Sequence, residues 1–184
     1  MLALSFTPFP VLETERLILR QITFADRQEI FTMRNDADIT RYTGGPKAHT
    51  MDDVTAFIAM ITQNVNNNEA ILWGIALKGA QKIAGTICFW NIDKENDKAE
   101  LGYVLMPAYG RKGIMQEALQ AVIAYGFETM RLKTVEACTH ENNNRSKRLL
   151  ERSNFRFHED METIKAAEED LCHDLIYVLR ANSL

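Results

Sequence analysis

Cysteine is scarce in this sequence of 184 residues, and no two of its three cysteines have the spacing of metal ligands. They are Cys88, Cys138 and Cys172, an odd number that gives no support to a disulfide framework or a zinc site. Cys88 and Cys138 lie in apolar, strand-like runs, where a cysteine is expected to be a small buried side chain. A reducing compartment is therefore expected, and we predict a cytoplasmic location.

Long apolar runs and basic clusters are also absent. No apolar run approaches the ~20 residues of a membrane-spanning helix. Residues 1–11 have neither the basic head nor the apolar core of a signal peptide. With a net charge of −4, a pI near 5.6 and no basic stretch, the chain is not expected to bind nucleic acid. Neither a membrane nor a nucleic acid is therefore a predicted partner.

No internal repeat, low-complexity run or linker interrupts the chain, so we predict one domain over residues 1–184. Hydrophobic residues make up 46% and charged residues 25%, which is ordinary for a soluble globular protein of this length. Strands are predicted at 14–20, 71–77, 82–90, 99–106, 133–140, 155–159 and 172–180, and helices at 24–34, 51–64, 113–130 and 143–152. Residues 35–46 are predicted to be a loop and 160–170 an acidic insertion. This irregular order indicates an α+β fold.

Residues 101–130 carry the clearest functional pattern. A strand ends at Pro107, which has no N–H for the ladder, and a short turn with Gly110 and Gly113 leads into an amphipathic helix. The unpaired N–H groups and partial positive charge of a helix N-terminus favour an anion, and the two glycines allow close approach. Arg111 and Lys112 add positive charge, so a diphosphate fits. A plain strand-to-helix turn explains the same local pattern equally well.

Two other nucleotide-binding motifs are missing. The chain has no GxxxxGK[ST] phosphate loop, and no GxGxxG followed by an acidic residue at the dinucleotide-fold spacing. A nucleotide-binding regulator is therefore the least favoured interpretation.

The segment at 107–119, PAYGRKGIMQEAL, resembles the acetyl-CoA pyrophosphate loop of the GNAT-superfamily acyltransferases, in particular the branch with the ribosomal-protein N-acetyltransferases. The superfamily motif Gln/Arg-x-x-Gly-x-Gly/Ala falls on residues 110–115. Gly113 matches it, whereas Gly110 and Met115 depart from it. Residues 14–20, TERLILR, also resemble the opening strand of that branch.

A third similar segment begins at Asn143 and ends at Phe155. Asn143 and Ser146 match the Asn-x-x-Ser start of the family segment, while Asn154 replaces its glycine. The resemblance implies that Asn143 contacts the pantetheine arm of CoA and that Ser146 is a candidate proton donor near the thioester. A purely structural interpretation makes Asn142 or Asn143 a helix N-cap and Asn154 a left-handed residue after the helix.

Three segments in family order imply a GNAT-like α+β domain. Its central sheet is expected to be mixed, mostly antiparallel and twisted, with about seven strands, a splay in the middle and about four flanking helices. The implied cofactor is acetyl-CoA, without a metal, and the implied state is a monomer or homodimer. The implied acceptor is a primary amine, most simply the N-terminal α-amino group of a protein such as a ribosomal protein. There are two alternatives. The acceptor is a small amine (polyamine, amino acid or antibiotic), or the protein is a module that binds CoA without catalysis.

The resemblance also implies the site residues. A backbone N–H at the splay, within 104–106, is expected to stabilise the oxyanion. The implied cofactor contacts are Val104, Leu105, Met106, Arg111, Lys112, Gly113, Ile114, Met115, Asn143 and Ser146.

Glu100 is the predicted general base, because alternation places it on the same strand face as Gly102, Val104 and Met106. An exposed carboxylate at a strand start is an equally good interpretation of Glu100. Weaker candidates for proton transfer are Glu136, His140, Tyr103 and Tyr109. Tyr42 either lines the acceptor channel or packs under its loop. The carboxylates of 159–170 are interpreted as a solvated loop.

Overall fold

The computed structural model describes residues 2–43, 47–158 and 174–181. Its described residues form eight strands: β1 (Leu12–Glu13), β2 (Leu17–Gln21), β3 (Ile71–Leu77), β4 (Ile83–Asp93), β5 (Lys98–Leu105), β6 (Thr134–His140), β7 (Arg156–Phe157) and β8 (Asp174–Arg180). They make one sheet in the order β1-β2-β3-β4-β5-β6-β8-β7, antiparallel except for the β5–β6 pair.

Five α-helices are present in the described ranges, and they cover both faces of the sheet. They are α1 (Arg27–Asn35), α2 (Ala37–Thr43), α3 (Met51–Asn66), α4 (Ile114–Ala124) and α5 (Asn144–Arg152). α4 and α5 pack in the larger hydrophobic cluster, with the buried side chains Ala99 and Leu101 of β5. α1 and α3 pack in the second cluster, against which Val104 and Met106 lie. Side chains of β5 therefore alternate between the two layers, as a strand requires.

A buried ion pair fixes the start of the first helical layer to β2. Arg20 Nη2 lies 2.7 Å from Asp26 Oδ1 and its Nη1 lies 2.9 Å from Oδ2. Burial alone would raise the pKa of Asp26, but hydrogen bonds from Arg20 and Thr23 outweigh it and hold that pKa below its ordinary value. The carboxylate is only 2% exposed, so its charge depends on Arg20.

The predicted mixed, mostly antiparallel sheet is confirmed, with two additions among the described residues. β1 is an eighth, two-residue strand that pairs with β2. The loop predicted at 35–46 is wrong for Ala37–Thr43, which forms α2 and makes five helices instead of four. Asp36 starts this helix, because its Oδ1 accepts from the N–H groups of Asp38 and Ile39 at 2.9 and 3.1 Å.

Other boundaries moved for local reasons. The helix predicted at 113–130 is regular only to Ala124 and continues as a π-helical turn, Tyr125–Thr129. Gly126 lies in that turn, and a Cβ there would come within 2.8 Å of the Phe89 ring. The strand predicted at 155–159 is reduced to β7. None of the helices that the structure describes is both long and apolar enough to cross a bilayer.

Candidate active site

The central feature of the site is a gap between β5 and β6. These parallel strands pair at only three positions, Lys98–Thr134, Ala99–Val135 and Glu100–Glu136. β5 then continues to Leu105 paired with β4 alone, and β6 continues to His140 paired with β8 alone. The two strands therefore diverge beyond Glu100 and Glu136, which is the predicted splay.

Backbone direction decides which N–H groups of β5 face this gap. The Met106 N–H donates to Ala84 O at 2.9 Å, so it is used on the β4 side. Successive N–H groups of an extended strand point to opposite edges. The Leu105 N–H therefore points into the gap, and of the predicted positions 104–106 it is the one placed to donate there.

The turn between β5 and α4 has the geometry of an anion-binding loop. Arg111 and Gly113 both have left-handed backbones, with φ of 61° and 75°, and Gly113 is the N-cap of α4. The first helical hydrogen bond comes from Glu117 N to Gly113 O, at 3.0 Å. Among the described residues, the N–H groups of 113–116 have no partner, so four donors converge at this helix end.

Side chains around the loop divide into two groups. Arg111 and Lys112 are exposed, and Lys112 Nζ folds back to donate to Ala108 O at 3.0 Å. Ile114 and Met115 are 3% and 6% exposed and belong to the hydrophobic core. Of the predicted cofactor contacts, Ile114 and Met115 therefore present only their backbone N–H groups to the loop.

Glu117, which the sequence alone did not assign, joins this loop to the segment before β2. Its Oε1 accepts from Thr14 Oγ1 at 2.6 Å and from Arg16 N at 2.9 Å, and its Oε2 accepts from Arg16 Nε at 2.6 Å. Burial acts to raise the pKa of Glu117, but these hydrogen bonds from Thr14 and Arg16 lower it overall. Arg16 and Glu117 both lie in segments that resemble the family, but their separation of 101 positions in the sequence does not predict this ion pair.

On the α5 side of the gap, Tyr103 and Ser146 form a hydrogen-bonded pair, with 2.7 Å between their oxygens. Ser146 is 8% exposed, and its N–H donates to Asn143 Oδ1 at 3.2 Å. Burial raises the pKa of Tyr103 to about 12, against a lowering by Ser146, so the phenol keeps its proton at neutral pH. Asn143 is therefore the N-cap, and the Ser146 hydroxyl is turned towards β5 instead of the cap.

Glu100 stands where the gap opens, on the opposite strand face. Its Oε2 accepts from Asn91 Nδ2 at 3.1 Å. Gly102 shares that face, because a Cβ on Gly102 would lie 3.0 Å from Cys88 Sγ and 3.7 Å from Trp90 Nε1. Burial, with a further contribution from Glu100, raises the pKa of Cys88 to about 12, so this thiol stays neutral. Glu136 is paired with Lys98 at 3.2 Å and is less suited to accept a proton.

The far end of the gap is bordered by two aromatic side chains. The rings of Tyr42 on α2 and His140 at the end of β6 are 5.8 Å apart. His140 Nδ1 accepts from Asn142 N at 3.1 Å, which fixes the imidazole at the entrance to α5. Tyr42 thus lies beside the end of β6. Cys172 and the carboxylates of 159–170 lie outside the described residues.

Residues 16–156 match the acetyltransferase (GNAT) domain family, which is most of the chain. The chain belongs to this family. It is accordingly an acetyl-CoA-dependent N-acyltransferase with the GNAT fold, and acetyl-CoA is its cofactor.

Individual relatives agree with the family assignment. The chain is 33% identical over 147 residues to the uncharacterized N-acetyltransferase YoaA of Bacillus subtilis, covering 80% of this chain and 83% of YoaA. The solved structure of RimL, a ribosomal L7/L12 alpha-N-protein acetyltransferase in complex with coenzyme A, aligns with a TM-score of 0.82 over 95% of this chain and 100% of RimL, at 19% identity. The microcin C7 self-immunity acetyltransferase MccE, in complex with acetyl-CoA and AMP, aligns at 0.73 over 91% and 93%, at 20% identity.

The residues at the GNAT loop fit a diphosphate chemically. Four backbone N–H groups without a partner among the described residues stand at residues 113–116, and the adjacent Arg111 and Lys112 are exposed. The nearby carboxylate of Glu117 does not occupy these donors, because Thr14 and Arg16 hold it. Within the described ranges, no three His, Cys, Asp or Glu side chains are grouped as metal ligands.

Proposed function

We propose that this GNAT enzyme transfers the acetyl group of acetyl-CoA to the N-terminal α-amino group of a protein, such as a ribosomal protein. The observation that carries the proposal is the gap beyond Glu100 and Glu136. An anion-binding loop leads to this gap, the Tyr103–Ser146 pair lies on one side and Glu100 on the other. The likeness to RimL, which acts on a protein α-amine, supports the choice of acceptor.

The loop and α5 would hold the cofactor. The N–H groups of 113–116, with Arg111 and Lys112, would bind its diphosphate. The amide nitrogen of Asn143, which has no partner among the described residues, is available to the pantetheine arm because Oδ1 is used in the cap. Acetyl-CoA, when bound, would supply a thioester whose acetyl group passes to the amine while its sulfur leaves with CoA.

Leu105 and Glu100 would act on the two reactants. The Leu105 N–H would donate to the thioester carbonyl oxygen as it gains negative charge, and one preorganised donor of this kind contributes ~3 kcal/mol. Glu100 would accept the proton of the amine, directly or through a water. At an α-amino pKa of ~8, roughly a tenth of an N-terminus is neutral at pH 7, against fewer than about one in a thousand lysines at ~10.4. A single weak base such as Glu100 therefore suits an α-amine better than a lysine.

Ser146 would supply the proton to the departing sulfur, with Tyr103 donating to the serine oxygen. The high pKa of Tyr103 keeps the phenol protonated throughout the physiological range, so it can act as that donor. Ser146 is buried and Tyr103 is partly buried, and removal from water strengthens the hydrogen bond between them.

A small-molecule amine is the second acceptor class. The fold likeness to MccE, whose structure holds acetyl-CoA and AMP, supports it. We further propose that residues 1–184 form one domain that works in the cytoplasm as a monomer or homodimer.

Thiol release from acetyl-CoA tests the function. The acceptors are a peptide with a free N-terminus, the same peptide with an acetylated N-terminus and one internal lysine, spermidine, and free amino acids. The proposal expects release with the first peptide and near-background release with the second. Release with spermidine or amino acids alone would favour the small-amine class. CoA binding without release from any acceptor would indicate a non-catalytic module.

A further inference from the structure

Arg16 reaches the diphosphate loop from a distant part of the chain. Its carbonyl accepts from Lys78 N at 2.8 Å, which ties its backbone to the end of β3. Its guanidinium crosses to the start of α4, where Nε binds Glu117 and Nη1 donates to Lys112 O at 2.9 Å. A Cβ on Gly113 would lie 3.3 Å from Arg16 Nη2.

Glu117 holds this guanidinium in place. Three hydrogen bonds, at 2.6, 2.9 and 2.6 Å, converge on its two oxygens from Thr14 and Arg16. They also neutralise a carboxylate that would otherwise stand in the first turn of a helix whose N-terminus binds an anion. Charge-assisted hydrogen bonds of this kind are short and directional, so Arg16 has little freedom to turn away from the loop.

The bond to Lys112 O sets the direction of the next N–H group. In a trans peptide the C=O of one residue and the N–H of the following residue point in opposite directions. The Gly113 N–H must therefore point away from Arg16. Glycine tolerates both orientations of its preceding peptide, and a flipped peptide would turn the Lys112 carbonyl oxygen towards the anion.

We propose that Arg16, held by Glu117, is a positioning residue that locks the Lys112–Gly113 peptide with the Gly113 N–H facing the CoA diphosphate. This inference rests on the proposed cofactor site and adds a residue that the pyrophosphate motif does not contain. Arg16 contributes to CoA affinity by fixing the direction of the Gly113 N–H. Its loss should therefore weaken the binding only of ligands that carry the diphosphate.

The test compares CoA with S-acetylpantetheine, which lacks the diphosphate. In Arg16→Lys the charge remains, but one ammonium group cannot bridge Glu117 and Lys112 O as the guanidinium does. We expect the Kd for CoA, measured by calorimetry, to rise about tenfold, which corresponds to ~1.4 kcal/mol. The kcat/KM for S-acetylpantetheine should stay within twofold of wild type. Glu117→Gln should weaken CoA binding in the same ligand-selective way.

Glu13→Gln is the matched control, because Glu13 lies in the same segment but pairs with Lys78 on the surface, at 3.6 Å. It should leave both ligands unaffected, and melting curves would show that each variant folds. Unchanged CoA affinity in Arg16→Lys with loss in Arg16→Ala would indicate a charge effect and overturn the positioning role. An equal loss with both ligands would reduce Arg16 to a stability role and overturn it as well. A wild-type protein that does not bind CoA would instead refute the proposed function.

Discussion

The phenol of Tyr103 and the hydroxyl of Ser146 share a hydrogen bond of 2.7 Å between β5 and α5. Tyr103 lies beyond the last β5–β6 pair, at Glu100, and Ser146 is in the first turn of α5. The bond therefore links β5 to α5 beside the gap, and it includes Ser146, the serine of the family-like segment. A side chain used only for capping would not be oriented in this way.

We predict that Tyr103→Phe and Ser146→Ala each lower kcat by about 10- to 100-fold, because general acid catalysis of this type contributes 10²–10⁴-fold and part of it can be taken over by water. CoA affinity should change little, since neither hydroxyl is assigned to the diphosphate. The double variant should be little worse than the worse single variant, because both act as one unit. Steady-state kinetics and calorimetry would measure both quantities.

Tyr177→Phe is the control for that pair. Its hydroxyl also makes one side-chain hydrogen bond, to Glu151 at 3.3 Å, but on β8 instead of β5. An equal loss of kcat in Tyr177→Phe would contradict a special role for Tyr103.

Gly113→Ala should abolish most CoA binding. The added Cβ meets Arg16 Nη2 at 3.3 Å, and φ of 75° is unfavourable for any side chain. Gly79→Ala is a close control, because Gly79 in the β3–β4 turn also has a positive φ, of 82°. No atom lies within 4 Å of a Cβ added there. Both variants should lose about 1 kcal/mol of stability from backbone strain, whereas only Gly113→Ala should lose CoA affinity. Equal CoA affinity in the two would remove the loop from the binding site.

Much of the fold follows from periodicity and a few stop signals. Pro107 and Gly113 mark the end of β5 and the start of α4, and Asn154 has the expected left-handed φ of 65°. α2 escaped prediction because its residues are only partly buried or exposed, so no apolar stripe reveals it. Its start depends on the side chain of Asp36, a local contact that resembles an ordinary turn in sequence.

The site was predictable where it is local and hidden where it is not. Residues 107–119 are contiguous, so the sequence alone predicts an anion-binding turn at the start of a helix. The Arg16–Glu117 and Tyr103–Ser146 contacts join residues separated by 101 and 43 positions, and only the packing of α4 and α5 on the sheet brings them together. The direction of the Leu105 N–H likewise depends on the register between β4 and β5.

Asp26→Asn should destabilise the protein at neutral pH and much less in acid. Asn cannot carry the charge that pairs with the Arg20 guanidinium, and losing a hydrogen bond to a charged group costs ~1.5–3 kcal/mol. The folded pKa of Asp26 is lowered, so its contribution is complete above the ordinary carboxyl pKa of ~3.9 and is lost as pH falls through the lower folded value. Urea unfolding of both proteins at pH 7 and in steps from pH 4 to pH 2 should show the difference narrowing. A constant difference would mean that Asp26 is not the titrating group.

Glu100→Gln tests the base. The amide keeps the size of the side chain and its contact with Asn91, but it cannot accept a proton. We expect kcat to fall by 10²-fold or more, as for removal of a positioned general base, with unchanged affinity for CoA. The loss should be smaller at high pH, where more of the α-amine is already neutral. Glu136→Gln is the matched comparison, because its carboxylate stands at the same β5–β6 pair but is bound to Lys98. A larger loss in Glu136→Gln would reassign the base to β6, and an unaltered pH–rate profile in both variants would leave deprotonation to water.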